Sequence, residues 1–456
     1  MKKIINYLFA AGMMLSATSC AFTDLQPTDK VSDKEIFSSI TTLEQALTGV
    51  YSKMSMRKTI SVTAVLSDDV YKGGQNGGAG DDSYQWTYSA STGDHNSLWS
   101  SYYSIISMAN RTINGSKGIT PANDNESKLK NNYVGSALFL RAYTYFDLLR
   151  FFSDFEKKDS YGIPYAKDPV VLETLGRNTV AECFKFLKED LEAAIPLLSQ
   201  TAPTTPEYAS QAAAKALLAR IYLYERNYEK AYEYASEVLA QNPIANINEY
   251  ADIWSDESNK EVIFELKRLS GQETIGTIFF SADNSSSFEP STEIINDFAE
   301  GDIRAKIFIG DGVDRDGVPV KRVIKYKGTA ENVGLADQKM LRSSEMLLIM
   351  AEAKANTKVS DGSTLLNQLR ANRIEGWQTK DYTTKEELLE EILLERRREL
   401  CYEGHRFFDM RRFNLPIYKP MIEKTLEVND HHRIQPIPLS EMQGNPVIAK
   451  QQNSGY

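Results

Sequence analysis

Between residues 209 and 243 the apolar side chains follow two helical phases separated by three polar residues, and this pattern constrains the fold more than any other stretch. Ala213, Leu217, Leu218, Ile221 and Tyr222 line one helix. Tyr228, Ala231, Tyr232, Ala235, Val238 and Leu239 line the next, and Glu225-Arg226-Asn227 forms the turn between them. A connection this short forces the two helices antiparallel and side by side. Such a hairpin still has apolar surface to bury after its own helices have met, so it needs neighbours. Helical patterns at 178–199, at 340–356 with 363–373, and at 385–401 leading to 405–413 can supply them. Earlier in the chain, helices are expected over 97–115 and 126–152. In the second of these, Val134, Ala137, Leu138, Ala142, Tyr145, Phe146 and Leu149 leave little polar face, which places it in the core.

Leu218, Ala219, Tyr222, Ala231 and Pro243 fall at the offsets of the tetratricopeptide signature, with small residues where paired helices touch and a proline after the second. The fold class is therefore mainly α, a scaffold of helical hairpins. Runs at 261–266, 307–309 and 320–326 are strand-like, and Asp311-Gly312 and Asp316-Gly317 read as turns joining the last two. Residues 71–82 are glycine-rich and read as an exposed loop. Cys183 and Cys401 sit in helical patterns and read as buried free thiols.

The N-terminus carries an export signal. Lys2 and Lys3 precede an apolar stretch of eleven residues, 4–14, broken only by Asn6 and Gly12, and Ser16-Ala17-Thr18-Ser19 leads into Cys20. At about 1.5 Å per residue the stretch covers about half of a ~30 Å hydrocarbon core, too little to span it. A cysteine in this position resembles the lipobox of bacterial lipoproteins, whose thiol is diacylated. The expected organisation is a signal peptide at 1–19, a lipidated linker at 20–40 and one folded domain at 41–456.

Fifty-two basic against 62 acidic residues give a net charge of -10, a surface that repels nucleic acid and anionic head groups. The nucleophile-elbow, zincin, Walker and dinucleotide-binding patterns do not occur, and no catalytic residue stands out. There are four histidines. His431 and His432 adjoin Asp430, but in a strand adjacent residues point to opposite faces, so no metal site is expected there. The acids of the run 311–317 lie off the ligand positions of a calcium loop.

A ligand site is expected on Tyr71, Tyr84, Trp86 and Tyr88 with Asp68 and Asp69. Sugar rings expose C–H patches that stack on flat aromatic faces, and their hydroxyls need fixed acceptors nearby. This aromatic run adjoins the glycine-rich loop outside the repeat scaffold. Trp99, Trp254 and Trp377 each have a structural use in a neighbouring element, and Trp86 has none. Phe279, Phe280 and Phe288 are rival platforms.

Ordered blocks along the whole mature chain resemble one family. Behind Cys20 stand Asp24-Leu25-Gln26-Pro27, then Ala46-Leu47-Thr48-Gly49-Val50-Tyr51, Asn110-Arg111-Thr112-Ile113 and Ala137-Leu138-Phe139-Leu140-Arg141-Ala142. Later come Asp302-Ile303-Arg304, Glu395-Arg396-Arg397-Arg398-Glu399-Leu400 and Glu403-Gly404-His405-Arg406-Phe407-Phe408-Asp409. Pro436-Ile437-Pro438 and Gln452-Asn453-Ser454-Gly455-Tyr456 close the series. Their order resembles the SusD/RagB outer-membrane nutrient-binding lipoproteins of Bacteroidetes. The charged members Arg141, Glu345, Glu352, Arg396, Glu399, Arg406 and Arg411 recur on apolar helices and read as bridges between them.

The resemblance implies about four tetratricopeptide-like units, with loops and short strands over roughly 57–97 and 266–335 carrying the ligand. It implies a non-enzymatic receptor without cofactor, anchored by lipid in the outer membrane and facing the exterior. Such a receptor binds a glycan, or else a peptide, and acts as the lid of a TonB-dependent SusC-like barrel. An all-helical envelope glycosidase and a tetratricopeptide adaptor share the helical pattern, and block order favours the receptor.

Overall fold

A computed structural model describes residues 37–74, 76–169, 174–199, 205–281, 285–314 and 316–456. The leader, Cys20 and most of the linker lie outside the described residues. The first helix, α1 (Ile40–Lys53), opens on a capping box in which Ser39 and Thr42 satisfy each other's backbone N–H groups. It is followed by α2 (Arg57–Leu66), β1 (Val70–Lys72) and the one-turn α3 (Asp81–Tyr84).

Two long helices come next, α4 (His95–Ser116) and α5 (Asp124–Phe152), within about two residues of the expected spans. In α5 every residue from 135 to 152 is buried, because α1 and α4 pack on it together with α6 (Val180–Ala194). The hairpin of α7 (Gln211–Tyr224) and α8 (Tyr228–Gln241) forms as its spacing requires. Arg226 takes a positive φ of 59° in the turn, and the Asn227 side chain accepts from the Lys230 N–H to start α8. Ala213, Ala214, Ala216 and Ala219 are fully buried, so helices meet where the side chains are small.

After α9 (Tyr250–Trp254) the chain runs through β2 (Val262–Leu266), β3 (Phe288–Pro290), α10 (Thr292–Asp297), α11 (Ile303–Phe308), β4 (Ile309–Val313), β5 (Pro319–Val323) and β6 (Gln338–Arg342). The helical scaffold resumes with α12 (Ser343–Ala355), α13 (Val359–Ala371), α14 (Lys385–Leu400) and α15 (Arg406–Arg412). It is closed by β7 (Ile417–Lys419), β8 (Lys424–Leu426) and α16 (Leu439–Gly444). The hairpins α4–α5, α7–α8 and α12–α13 make the scaffold, with α6 packed on α5 and α14 on α12. The strands form four small antiparallel pairs: β1–β3, β2–β6, β4–β5 and β7–β8.

Two turn expectations need correction. Asp311-Gly312 is strand, paired in β4–β5 with Lys321 and Val320, and the chain reverses later, where Gly317 has φ 78° and Asp314 accepts from the N–H groups of Asp316 and Val318. A hairpin has room for one reversal, and the second Asp-Gly takes it. The 71–82 segment is only partly a loop. Gly77 and Gly78 are exposed, but Gly73 is packed so tightly that an added Cβ would lie 2.2 Å from the Ser286 carbonyl oxygen.

Candidate functional site

The six residues expected to bind ligand are near one another, and most are inaccessible. Trp86 is 6% exposed, and Tyr84 and Tyr88 are 2% exposed. The Trp86 indole N–H donates to the Leu66 carbonyl at 3.1 Å. The ammonium of the buried Lys419 lies 4.2 Å from the centroid of the Trp86 ring and 4.3 Å from that of Tyr84. That ammonium also donates to the Val65 and Tyr84 carbonyls at 2.6 and 2.7 Å, and burial holds its pKa well below the usual lysine range. With the cation near one face and the ring 6% exposed overall, Trp86 is part of the core and offers a sugar no open face, against the stacking role expected of it. Tyr88 is likewise spent internally: its hydroxyl donates to the His432 carbonyl and its ring stacks on Tyr456.

The carboxylates are also committed. Asp68 accepts both arms of the Arg406 guanidinium at 2.8 Å, and although burial alone would raise its pKa, Arg406 and Arg397 hold it well below the usual carboxylate range. Asp69 accepts from Arg397 at 2.9 Å. Neither is a free acceptor. Of the six, Tyr71 keeps a partly open ring, its hydroxyl donating to Glu293. The rivals Phe279, Phe280 and Phe288 are all under 5% exposed.

A roomy open cavity of about 760 Å³ lies elsewhere, between the loop that follows α5, the 428–434 segment and the C-terminal tail. Most of its lining residues carry hydrogen-bonding groups, among them Asp154, Glu156, Lys157, Asn414, Asn429, Asp430, Arg433, Gln452 and Asn453, with Val428 and Ile434 adding aliphatic surface. Tyr161, 47% exposed, supplies one aromatic face, with the Arg177 guanidinium 5.6 Å from its centroid. Arg177 fixes the wall by donating to the carbonyls of Phe152, Tyr161, Gly162 and Gln451. Arg411, expected as an ion-pair bridge, donates instead to the carbonyls of Arg150 and Ser153, and burial lowers its pKa to about 10. A roomy cleft that combines an exposed ring and apolar surface with fixed donors and acceptors is chemically suited to a polyhydroxylated ligand. The sequence signal for it was weak, because Tyr161 is one of 24 tyrosines and the other walls come from residues more than two hundred positions away.

The remaining motif charges are structural, as expected. Arg141 makes a two-armed pair with Asp190 across α5–α6, Arg220 with Glu345 across α7–α12, and Arg412 with Glu352 across α12–α15. Two family models match this chain: one described as starch-binding associating with outer membrane over residues 21–223, and the SusD family model over residues 309–456. The chain belongs to the SusD/RagB family. SusD-like protein P2 of Formosa agariphila is 23% identical, covering 88% of this chain and 89% of its own length. A SusD-like protein of Bacteroides ovatus is 23% identical over 90% of this chain and 82% of its own. Among solved structures, a SusD superfamily protein from Bacteroides thetaiotaomicron superposes with a TM-score of 0.80 at 24% identity, covering 91% of this chain and 99% of its own. A putative sugar binding protein from Bacteroides vulgatus gives 0.78 at 25%, covering 92% and 99%. The SusD/RagB family is an outer-membrane-associated family of binding proteins.

Proposed function

We propose that this SusD/RagB chain is a lipoprotein, acylated at Cys20, that captures a nutrient glycan at the outer face of the outer membrane. It delivers the glycan to a TonB-dependent SusC-like barrel, over which the folded body at 41–456 acts as a lid. The observation that carries the reading is the family match at both ends of the chain, joined to an open cleft lined by an exposed ring and many hydrogen-bonding side chains. The name of the Bacteroides vulgatus neighbour supports a sugar as ligand. The ligand face is proposed at the Tyr161 cleft, with Tyr71 the aromatic member of the expected set still partly open to solvent.

Calorimetric titration with a panel of polysaccharides and peptides tests both parts. A glycan should bind, and Tyr161→Ala should weaken it about tenfold or more by removing a stacking face worth roughly 1–2 kcal/mol. Preference for a peptide would overturn the glycan assignment. Unchanged glycan affinity in a folded Tyr161→Ala variant would move the site away from this cleft. Recovery of a barrel protein with the chain solubilised from native membranes tests the partner.

A further inference from the structure

Asp430, His431 and His432 do not form a strand. Asp430 caps a single 3-10 turn, His431–Arg433, its carboxylate accepting from the His432 N–H at 2.8 Å. The turn brings both imidazoles to one side, with ring centroids 3.8 Å apart, so the alternation argument against a metal fails. Asp430 Oδ1 stands 2.8 Å from His432 Nδ1 and 3.5 Å from His431 Nδ1, and one ligand atom from each of the three side chains lies within 4.8 Å of the others. A tetrahedral metal bound at about 2.0–2.2 Å holds its ligands roughly 3.3 Å apart, a spacing the two measured distances bracket.

We propose that Asp430, His431 and His432 form a binding site for a late first-row divalent cation, zinc above all, on the rim of the Tyr161 cleft. Two imidazoles and one carboxylate are the donor set that zinc takes at sites with three protein ligands, where a fourth position stays open. Asp430 and His431 line the cleft, so the open position faces it and takes an oxygen from water or from a bound molecule. The metal site itself does not rest on the receptor reading.

The imidazoles are held in place by the chain around them. The Tyr456 ring meets His431 edge-on at 4.8 Å, and the Tyr88 ring meets His432 at 5.0 Å and 89°. The Tyr456 hydroxyl donates to the Ile434 carbonyl at 2.8 Å, and that of Tyr88 donates to the His432 carbonyl, so both tyrosines also clamp the turn's backbone. Gly455 lets the tail pass this close: at φ 100° an added Cβ would lie 2.6 Å from the His431 Cβ. Restraint of this kind removes part of the ordering cost of ligation. The other two histidines, His95 and His405, are 0% and 6% exposed, which leaves this pair as the accessible imidazoles of the chain.

The test is titration of the purified, EDTA-treated protein with zinc chloride, followed by calorimetry, with cobalt(II) as a spectroscopic probe. One zinc per chain is expected, with a visible cobalt absorption displaced by zinc. His431→Ala and His432→Ala, each checked by circular dichroism, should weaken zinc binding at least about a hundredfold, since even outer-shell changes at metal sites cost 10–100-fold. Absence of stoichiometric zinc in the parent overturns the proposal, as does binding that survives either substitution. The cobalt spectrum of the parent needs no variant and decides the matter if a variant folds poorly: without a visible band from bound cobalt, imidazole ligation is refuted. Glycan affinity measured separately with and without zinc keeps this result apart from the receptor reading.

Discussion

Replacing Glu399 with glutamine should be among the most damaging single-atom changes available to this protein. Glu399 is wholly buried on α14, and its two oxygens divide a large load. Oε1 accepts from Arg342 at 2.9 Å, the Tyr250 hydroxyl at 3.0 Å and Arg373 at 3.4 Å, while Oε2 accepts from Arg373 at 3.0 Å and Arg304 at 3.1 Å. Burial pushes the carboxyl pKa up, but the three guanidinium groups outweigh it and hold the group ionised well below the usual range. A glutamine amide can replace only one oxygen. Whichever way it turns, its NH₂ faces at least two buried N–H donors, each worth about 1.5–3 kcal/mol when its charged bond is lost. The remaining acids Asp302, Glu261, Glu395 and Glu403 still pair with the arginines, which limits the loss. The expected cost is about 3–5 kcal/mol, the range for breaking a buried ion pair from one side. With an unfolding entropy of about 2 cal/mol/K per residue, a chain this long should lose roughly 5 °C in Tm. Differential scanning calorimetry at pH 7 measures it. A shift under about 1 °C would refute the view that the arginines depend on this carboxylate, and adding Arg373→Met should recover part of the loss if they do.

The same cluster gives a pH dependence. Burial would raise the Glu395 pKa, but Arg304, Arg370 and Arg398 bring it down to about 2, so its contribution of about 3 kcal/mol is complete above pH ~4.5 and lost as pH falls toward 2. Tm measured across that window should fall more steeply in the parent than in Glu395→Gln, and parallel curves would count against the assignment. Trp86→Ala should cost about 3–5 kcal/mol as a core truncation and leave glycan affinity unchanged in the folded fraction; loss of binding without loss of stability would restore Trp86 as a platform. Cys20→Ala should shift the protein from the membrane to the soluble fraction, and retention in membranes after the change would remove the case for a lipid anchor.

The helical part of the fold was legible because helices announce themselves locally. Ala213, Leu217, Ile221 and then Ala231, Ala235, Val238 carry the period in adjacent residues, so nothing distant was needed to place α7 and α8. The candidate site was not legible, for the opposite reason. Trp86 has no periodic neighbours to assign it to a core, and the cation that covers its ring, Lys419, sits in a short strand near the other end of the sequence. Asp68 and Asp69 look like free acceptors until α14 and α15 deliver Arg397 and Arg406 to them. The Asp-His-His turn did carry a local signal. An aspartate directly before a short polar run is a cap, and reading Asp430 as one would have put both histidines in a turn.

The burial of the 68–88 cluster also bears on how this protein can move. Asp68–Arg406, Asp69–Arg397 and Asp297–Arg397 tie the α2–β1 connection and α10 to α14 and α15, and Lys419 ties α2 and Tyr84 to β7 through two carbonyls. Lifting the irregular region off the helical scaffold would separate these pairs and hydrate both partners, at about 1.5–3 kcal/mol for each charged hydrogen bond lost. Several such losses together exceed the 1–3 kcal/mol over which conformational coupling ordinarily works. The two regions therefore move as one piece in any motion of low cost. Adaptation to a ligand is left to groups that solvent already reaches, such as Tyr161 with its 47% exposed ring and the exposed ion pair of Lys157 with Asp154 at the mouth of the cleft. On the proposed lid role, opening and closing over the barrel would swing the whole body, with the cleft carried along intact.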